Sequence, residues 1–506
     1  MLYDTGLFVR WMPRSIQIIF MLFFAIVLLG SGILYPANVN ETYSSLGLTS
    51  AHITSIYNAM YIGQAMIFPV VLRVKMAMRS NEKLFLGFIT LGFLSSISSS
   101  VQDYPFLVLL SFFFGAIKML CFYELLYLHF TTMILPGGNK VRVFYLLLPV
   151  LLSGASFGNF LSAFIGYGYE IEKVHVVYTI LLLFCALLVK IIIHKSYFSK
   201  RYPMYYIDWF SISLLALGML GLNHVLTFMP QNNWFFDNGI IKIELIISLL
   251  LIVVAIWRQA FLKRPVWPLK LIFAKRTLIG YFLIFSSGLY QALMILETGF
   301  LVTVMKYENI KIWTFGLWAV PGTMVAGFLG YYCIHYNNFL KQYIFSGFAI
   351  FTTYYAFLYL RISTGVNIDF FYFGTFIKFM ALAIIYIGVW FYFTKGLIIT
   401  QMIPVLSGIQ IIRTFLAVTF FSSIINYLMY KYQLQSLSDI SLNLYAIGDT
   451  PIKHADIQQQ ANIVAIKRIL GWSVIFSLPV LGFILSFTFG KVNYGKFLYL
   501  HGRFTK

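Results

Sequence analysis

Four ionisable side chains stand inside long apolar runs of this chain: Lys118, Glu124, Glu297 and Lys378. In a hydrocarbon layer each such charge costs roughly 2.5–3.5 kcal/mol to insert, so it persists where it meets a partner, a water-filled cavity or a substrate. A carboxylate at that depth can take up and release a proton, and a lysine can hold an anion or neutralise a carboxylate. Lys118 and Glu124 are six residues apart, about 240° around a helix and roughly 9 Å along it. They point in different directions and need separate partners. Glu297 falls late in one run, and Lys378 falls early in a later run of opposite direction. Both therefore belong to the same, outer half of the layer, at a depth where they can pair. Two readings of that pair stay open: a tie between two helices, or a group that binds substrate or couples a proton.

Other polar residues in the runs have plainer roles. Arg413, in Gly408-Ile-Gln-Ile-Ile-Arg413, lies near the inner end of its run, where snorkelling or an interhelical tether is expected. His224, beside Asn223, reads either as a proton relay or as a hydrogen-bonded packing histidine. Gly154 and Gly158 form a small-xxx-small pattern that lets helix backbones approach closely. Pro321-Gly322, with Gly327 and Gly330, marks a bent or closely packed span.

The elements that position these residues are apolar runs of 18 or more residues, recurring from Ile18 to Phe489, each able to cross a hydrocarbon core of about 30 Å. Fourteen candidate spans are expected, grouped as six within 1–200, two within 201–260 and six within 261–506. Numbering the turns alternately places 24 Lys and Arg on the N-terminal side, 9 on the other and 3 inside spans. Acidic residues split as 3, 11 and 2. Basic residues near span ends are retained in the cytoplasm. The expectation is a multi-pass protein of the inner (plasma) membrane with both termini cytoplasmic. The formal charge of +20 is then topology rather than nucleic-acid affinity, and membrane lipids are the lateral partners.

The inner turns are short and basic, as in the stretch from Arg73 to Lys83, and the outer turns are short and acidic, as at Glu170-Ile-Glu172. One outer segment, near 431–469, is polar and closes on Asp456 to Arg468 with helical spacing, which predicts an amphipathic periplasmic helix leading into the last span. Trp11, Trp209, Trp234, Trp257, Trp267 and Trp472 flank span ends and suit the headgroup level. Cys121, Cys185 and Cys333 lie apart inside apolar runs and suggest neither disulfide nor metal chemistry.

The chain leaves no segment outside the spans long enough to fold as a separate core. It has no phosphate-cradling G-x-x-x-x-G-K-[ST], no H-E-x-x-H and no C-x-x-C. No enzyme activity, cofactor or metal is expected.

Three stretches of the second half carry a family resemblance. Arg264-Pro-Val-Trp-Pro-Leu-Lys-Leu-Ile-Phe-Ala-Lys-Arg276 is similar to a Pro-Leu-x-Leu-x-Phe-x-x-Arg entry to the ninth span. Gly408-Ile-Gln-Ile-Ile-Arg413 is similar to a Gly-x-x-x-x-Arg opening of the thirteenth, and Gln459-Gln460-Ala461 to a Gln-Ala segment before the last. With the six-two-six arrangement, the chain resembles the major facilitator superfamily, and within it the fourteen-span drug:proton antiporter branch. The first half departs from that pattern. Val71-Leu-Arg-Val-Lys-Met-Ala-Met-Arg79 stands where the family has Gly-x-x-x-Asp-Arg-x-Gly, Ser111 where it has an arginine, Gly154 and Gly158 where it has Gly-Pro, and Val27 where many members have an aspartate.

The resemblance implies an all-α integral membrane fold of fourteen transmembrane helices, two six-helix bundles with two inserted helices, working by alternating access. In that fold the first and fourth helices of each half line the cavity, here spans one, four, nine and twelve. Lys118, Glu124, Glu297 and Lys378 all fall on these. They are the implied substrate and proton-coupling residues, with Glu297 or Glu124 titrating, while Arg413, Gly154, Gly158 and Pro321 are structural or gating. The implied activity is proton-coupled export of an amphipathic or anionic organic compound. A periplasmic adaptor and an outer-membrane channel are implied partners of the 431–469 segment. Uptake or facilitated passage of an anionic metabolite, and a non-transporting scaffold, are the alternatives.

Overall fold

The computed structural model describes residues 7–489 except 10, 33, 39–41, 43–45, 126–141, 168, 195–206, 236–238, 337–338, 396, 398, 448–453 and 488. In hydrocarbon a backbone N–H or C=O has no water to meet, so each run closes its hydrogen bonds on itself as a helix. The first, α1, is Arg14–Gly30, of 17 residues, followed by a short helix Leu34–Ala37. Besides α1, a shorter apolar helix, thirteen helices among the described residues are long and apolar enough to cross a membrane. In the first half they are α2 (Ser50–Lys75), α3 (Ser80–Ser100), α4 (Tyr104–Leu125), α5 (Tyr145–Gly166) and α6 (Ile171–Ile192). Next come α7 (Trp209–Asn232) and α8 (Gly239–Phe261). The second half has α9 (Lys275–Thr303), α10 (Ile310–Ile334), α11 (Leu340–Arg361), α12 (Asp369–Thr394), α13 (Gln401–Ile440) and α14 (Ile457–Ser486).

Packing repeats at an interval of eight helices. In the first unit α1 packs on α5, α2 on α4, and α3 on both α4 and α6. In the second α9 packs on α13, α10 on α12, and α11 on both α12 and α14. The units meet along two seams, α2 against α13 and α5 against α10. Exchanging the units maps one seam onto the other, as a pseudo-two-fold repeat requires. Each seam carries a polar tie: Asn58 donates to Thr419 Oγ1 at 3.0 Å, and the Ser153 and Thr323 hydroxyls share a hydrogen bond at 2.7 Å.

The inserted pair breaks this symmetry. Helix α7 lies on α2 and α13 at one seam only, held by Asn223, which donates to the Ser55 carbonyl at 2.9 Å and accepts from Asn58 at 3.0 Å. Helix α8 packs on α7 and turns Ile243, Ile247, Leu250 and Val253 outward, an apolar surface suited to lipid. Asp208 caps α7 by accepting from the Ser211 backbone N–H, and Gln259 and Arg258 donate to it. Burial opposes its charge, but Ser211 and Arg258 outweigh that and hold the carboxyl below its usual range.

Small residues set the closest approaches. A Cβ on Gly158 would stand 2.8 Å from the Gly30 nitrogen and 2.9 Å from its Cα, so α1 and α5 touch backbone to backbone there. A Cβ on Gly154 would meet the Leu29 side chain at 2.8 Å. Pro321 follows a break: α10 is helical over Asn309–Gly316, turns at Leu317 and Trp318, and resumes over Ala319–Gly330. A proline at 321 has no N–H for the Leu317 carbonyl, which accounts for the bend.

Two expectations change. The polar segment holds two helices rather than one, because the thirteenth span runs on unbroken to Ile447 before a second helix begins at His454. Its residues from Asn426 to Ile440 include no Pro or Gly to stop a helix, and Asp439 faces Arg468 of α14 at 4.0 Å. Trp267 is buried rather than interfacial: its indole donates to Ser407 Oγ at 3.2 Å, and Ser407 donates to the Ala65 carbonyl. Trp234 lies outside the described side chains.

Candidate functional site

Glu297 and Lys378 meet. The ammonium donates to Glu297 Oε1 at 2.7 Å, and the Tyr354 hydroxyl donates to the same oxygen at 3.1 Å. The elements explain why. Helix α9 brings Glu297 toward its C-terminal end, α12 runs back and offers Lys378 near its start, and α11 supplies Tyr354 from the side. All three residues are nearly buried, and the Lys378 ammonium also lies 5.5 Å from the centre of the Tyr354 ring. Glu297 Oε2 is buried with no hydrogen-bond partner. The pair therefore has one spare acceptor oxygen inside the second unit.

Glu124 is elsewhere. It lies at the end of α4 on the basic face, where Lys75, Lys83 and Ser80 converge on it from α2 and α3. Lys75 donates to Oε1 at 3.2 Å, Lys83 to Oε2 at 2.5 Å, and the Ser80 hydroxyl to Oε1. The carboxylate is fully buried and both lysines almost so. Two cations and a hydroxyl around one anion make a latch that closes the first unit at that face.

Lys118 joins neither group. It is buried on α4 and donates to the Leu29 carbonyl at 3.3 Å, at the end of α1. The helix breaks at Ser31 and Gly32, which leaves carbonyl oxygens without helical donors, and a cation there also suits the negative end of the helix dipole. Near it, Ser31, Tyr35, Ser95, Ser98, Ser111 and His175 border a small cavity of about 30 Å³, room for about one water.

Arg413 lies between the units. It is part of Ile412–Leu416, a π-helical stretch of α13, and is half-buried. Its guanidinium carbon stands 5.0 Å from the ring centre of Tyr386 and 6.0 Å from that of Trp390, both on α12. From the first unit, Tyr57 and Tyr61 of α2 come within its electrostatic reach, their hydroxyls hydrogen-bonded to each other at 2.6 Å. The interhelical contact expected of Arg413 takes the form of these ring contacts with α12. Among the described residues neither a carboxylate nor a carbonyl bonds to it. Sequence reasoning passed over these aromatics. Tyr57 and Tyr61, and likewise Tyr386 and Trp390, are spaced four apart and so share a helix face. In a chain that is 19% aromatic, such pairs are too common to stand out.

His224 binds Glu244 of α8 at 2.8 Å, both partly exposed, and its ring packs on Phe228. The histidine ties the inserted helices to each other, far from the charges above in the chain's packing order. His129 lies outside the described residues.

No family model matches the chain, and no curated protein matches it in sequence. Solved structures do match. A mutant of the nucleoside transporter NupG aligns with a TM-score of 0.56 at 10% identity, over 94% of this chain and 99% of that one. An auto-inhibited peptide transporter of the POT family aligns at 0.54 and 13%, over 95% and 98%. A bacterial homologue of the human lysosomal transporter Spinster, inward-facing and unoccupied, aligns at 0.53 and 10%, over 93% and 96%. At such identities the likeness is one of fold. With its eight-helix repeat and its membrane-length helices, this chain is a multi-pass membrane protein with the major facilitator fold.

Proposed function

We propose that the chain is a secondary active transporter working by alternating access, and that it is not an enzyme. One observation carries this reading: two six-helix repeats meet along two equivalent seams, each held by few polar ties, Asn58 to Thr419 and Ser407 to the Ala65 carbonyl at one and Ser153 to Thr323 at the other. Such a pair of bodies can rock about a site between them, closing one end while opening the other. The cargo is an amphipathic or anionic organic compound, since the central charge is an unneutralised cation among aromatic rings.

Proton coupling falls to Glu297 rather than Glu124. Glu124 is fixed by two lysines at the basic face, whereas Glu297 has one cation, one phenol and a spare oxygen. Export, the direction carried by the fourteen-span drug:proton antiporter resemblance, fits a basic face in the cytoplasm of a cell whose inner membrane holds the chain. An adaptor protein, where one takes part, would meet the helical hairpin that α13 and α14 extend beyond the spans.

The test needs no known cargo. In a background with Cys121, Cys185 and Cys333 replaced, Tyr61→Cys is treated with a membrane-impermeant maleimide in cells and in inverted vesicles. Alternating access presents this position to each side in turn, so labelling is expected from both. Labelling from one side alone, or from neither, would overturn the rocking mechanism and favour a scaffold.

A further inference from the structure

We propose that Arg413 is the anion-binding centre of the transport site, and that the compound carried is a monoanion with an aromatic body, an aromatic carboxylate or sulfonate in chemical terms. This rests on the transporter reading above and narrows it.

The guanidinium is built in but not neutralised. The guanidinium carbon stands over the rings of Tyr386 and Trp390, at 5.0 Å and 6.0 Å, contacts that hold the cation without neutralising it. Two further donors look for acceptors beside it. The Tyr386 hydroxyl is fully buried and makes no hydrogen bond of normal geometry, with Ser287 and Gln291 of α9 as its polar neighbours, and the Gln291 side-chain nitrogen is likewise unmatched. Buried donors without acceptors are uncommon in folded proteins, and two of them beside a half-buried cation call for an anion. A carboxylate or sulfonate matches the planar fork of an arginine with two parallel hydrogen bonds.

Among the described residues the other cations buried in the spans are committed: Lys378 is paired with Glu297, Lys75 and Lys83 share Glu124, and Lys118 is bonded to the Leu29 carbonyl. A single such cation among the described residues fits one negative charge, which makes a monoanion the preferred cargo. The walls select the rest of the molecule. Tyr57 and Tyr61 from the first unit, with Tyr386 and Trp390 from the second, present rings from both sides of the interface, and rings pack best on another flat apolar surface. The π-helical turn at Ile412–Leu416 adds to the case, because such bulges often mark functional positions in membrane and soluble helices alike.

The probes are naphthoate, its neutral analogue naphthalenemethanol and the cationic naphthylmethylamine, added to the purified full chain in detergent. Binding is read from quenching of tryptophan fluorescence. Naphthoate should bind at least about tenfold more tightly than either analogue, the worth of one charge-assisted contact. Arg413→Gln should abolish that preference, while Arg413→Lys, which keeps the charge but not the fork, should retain part of it. Should Arg413→Gln fail to fold, the preference of the unaltered protein and the weakening of naphthoate by Trp390→Leu decide the matter. Equal binding of the three probes, a preference for the amine, or unchanged naphthoate binding to Arg413→Gln would each overturn the assignment and leave a guanidinium that is merely solvated. The two readings fail separately. Naphthoate held through Arg413 but never exchanged across proteoliposomes would overturn transport and leave the anion site. Exchange of the amine or alcohol, undiminished by Arg413→Gln, would overturn the anion site and leave transport.

Discussion

Neutralising one member of the Glu297–Lys378 pair should be far more damaging than neutralising both. Unit charges 2.7 Å apart attract by about 6 kcal/mol at an effective dielectric constant of about 20. Most of that offsets the desolvation of two buried ions, so the intact pair adds little net stability. Removing a single partner exposes the imbalance, and typically costs about 3–5 kcal/mol. Glu297→Gln leaves Lys378 with a neutral acceptor and the face of Tyr354. Lys378→Met leaves the carboxylate with the Tyr354 hydroxyl alone, beside an oxygen that already lacks a partner. The second change should be the worse. In the double variant no ion remains, and the loss shrinks to about 1 kcal/mol for a weakened Tyr354 hydrogen bond. The two single losses should therefore exceed the double loss by at least about 3 kcal/mol.

Unfolding midpoints in mixed detergent micelles, together with membrane yield, measure this cycle. Additive losses would refute the reasoning, for they would mean that the two side chains do not meet. Transport then separates structure from coupling. A pair that only ties helices together recovers activity in the double variant. A pair that couples protons recovers yield alone, and Glu297→Gln loses accumulation driven by a pH gradient while keeping counterflow exchange.

Four other outcomes are expected. Reporters fused at Lys83 and Arg264 should be cytoplasmic and one at Ser438 should face the other way; Lys83 and Arg264 on opposite faces would mean an odd number of crossings between them and refute six spans from α3 to α8. Glu124→Gln strands two buried lysines at once, so its yield should fall below that of Glu297→Gln, and adding Lys83→Met should restore part of it. Gly158→Ala forces a methyl group onto the Gly30 backbone and should lower stability by about 1–3 kcal/mol, whereas Gly482→Ala, with open space around it, should be silent. The carboxyl of Asp208 is held below its usual range, so its contribution is present at neutral pH and fades as pH falls through that lowered value. Asp208→Ala should then cost about 1 kcal/mol at neutral pH, from the lost helix cap, and less in acid.

The all-helical fold of membrane-length helices is legible in the sequence because it is written in composition, as long runs of apolar residues. The meeting of Glu297 with Lys378 is legible too, since two antiparallel spans with charges at matching depth need only to be neighbours. Glu124 was harder. Its partners sit in a turn whose residues look like ordinary positive-inside charges, and nothing local shows that Lys75 and Lys83 fold back under α4. Arg413 was hardest. A helical wheel drawn at 3.6 residues per turn gives it a direction, but the π-helical stretch around it changes the register and turns it toward the interface.

The two lysines on equivalent helices show how one architecture reaches two solutions. Lys118 on α4 and Lys378 on α12 each reach for the first helix of their own unit. In the second unit α9 is unbroken and answers with a carboxylate, Glu297. In the first unit α1 breaks after Gly30 and answers with a backbone carbonyl, that of Leu29. Both satisfy a buried ammonium, one with a charged acceptor and the other with a neutral one. The repeat is symmetric in its packing and asymmetric in its chemistry. On the coupling proposed above, the proton is handled at Glu297 in the second unit, next to the helix α13 that carries Arg413. Helix α9 packs on both α12 and α13, so a change of charge at Glu297 and the arrival of an anion at Arg413 act on the same pair of neighbouring helices, which is the shortest route the fold offers for coupling one to the other.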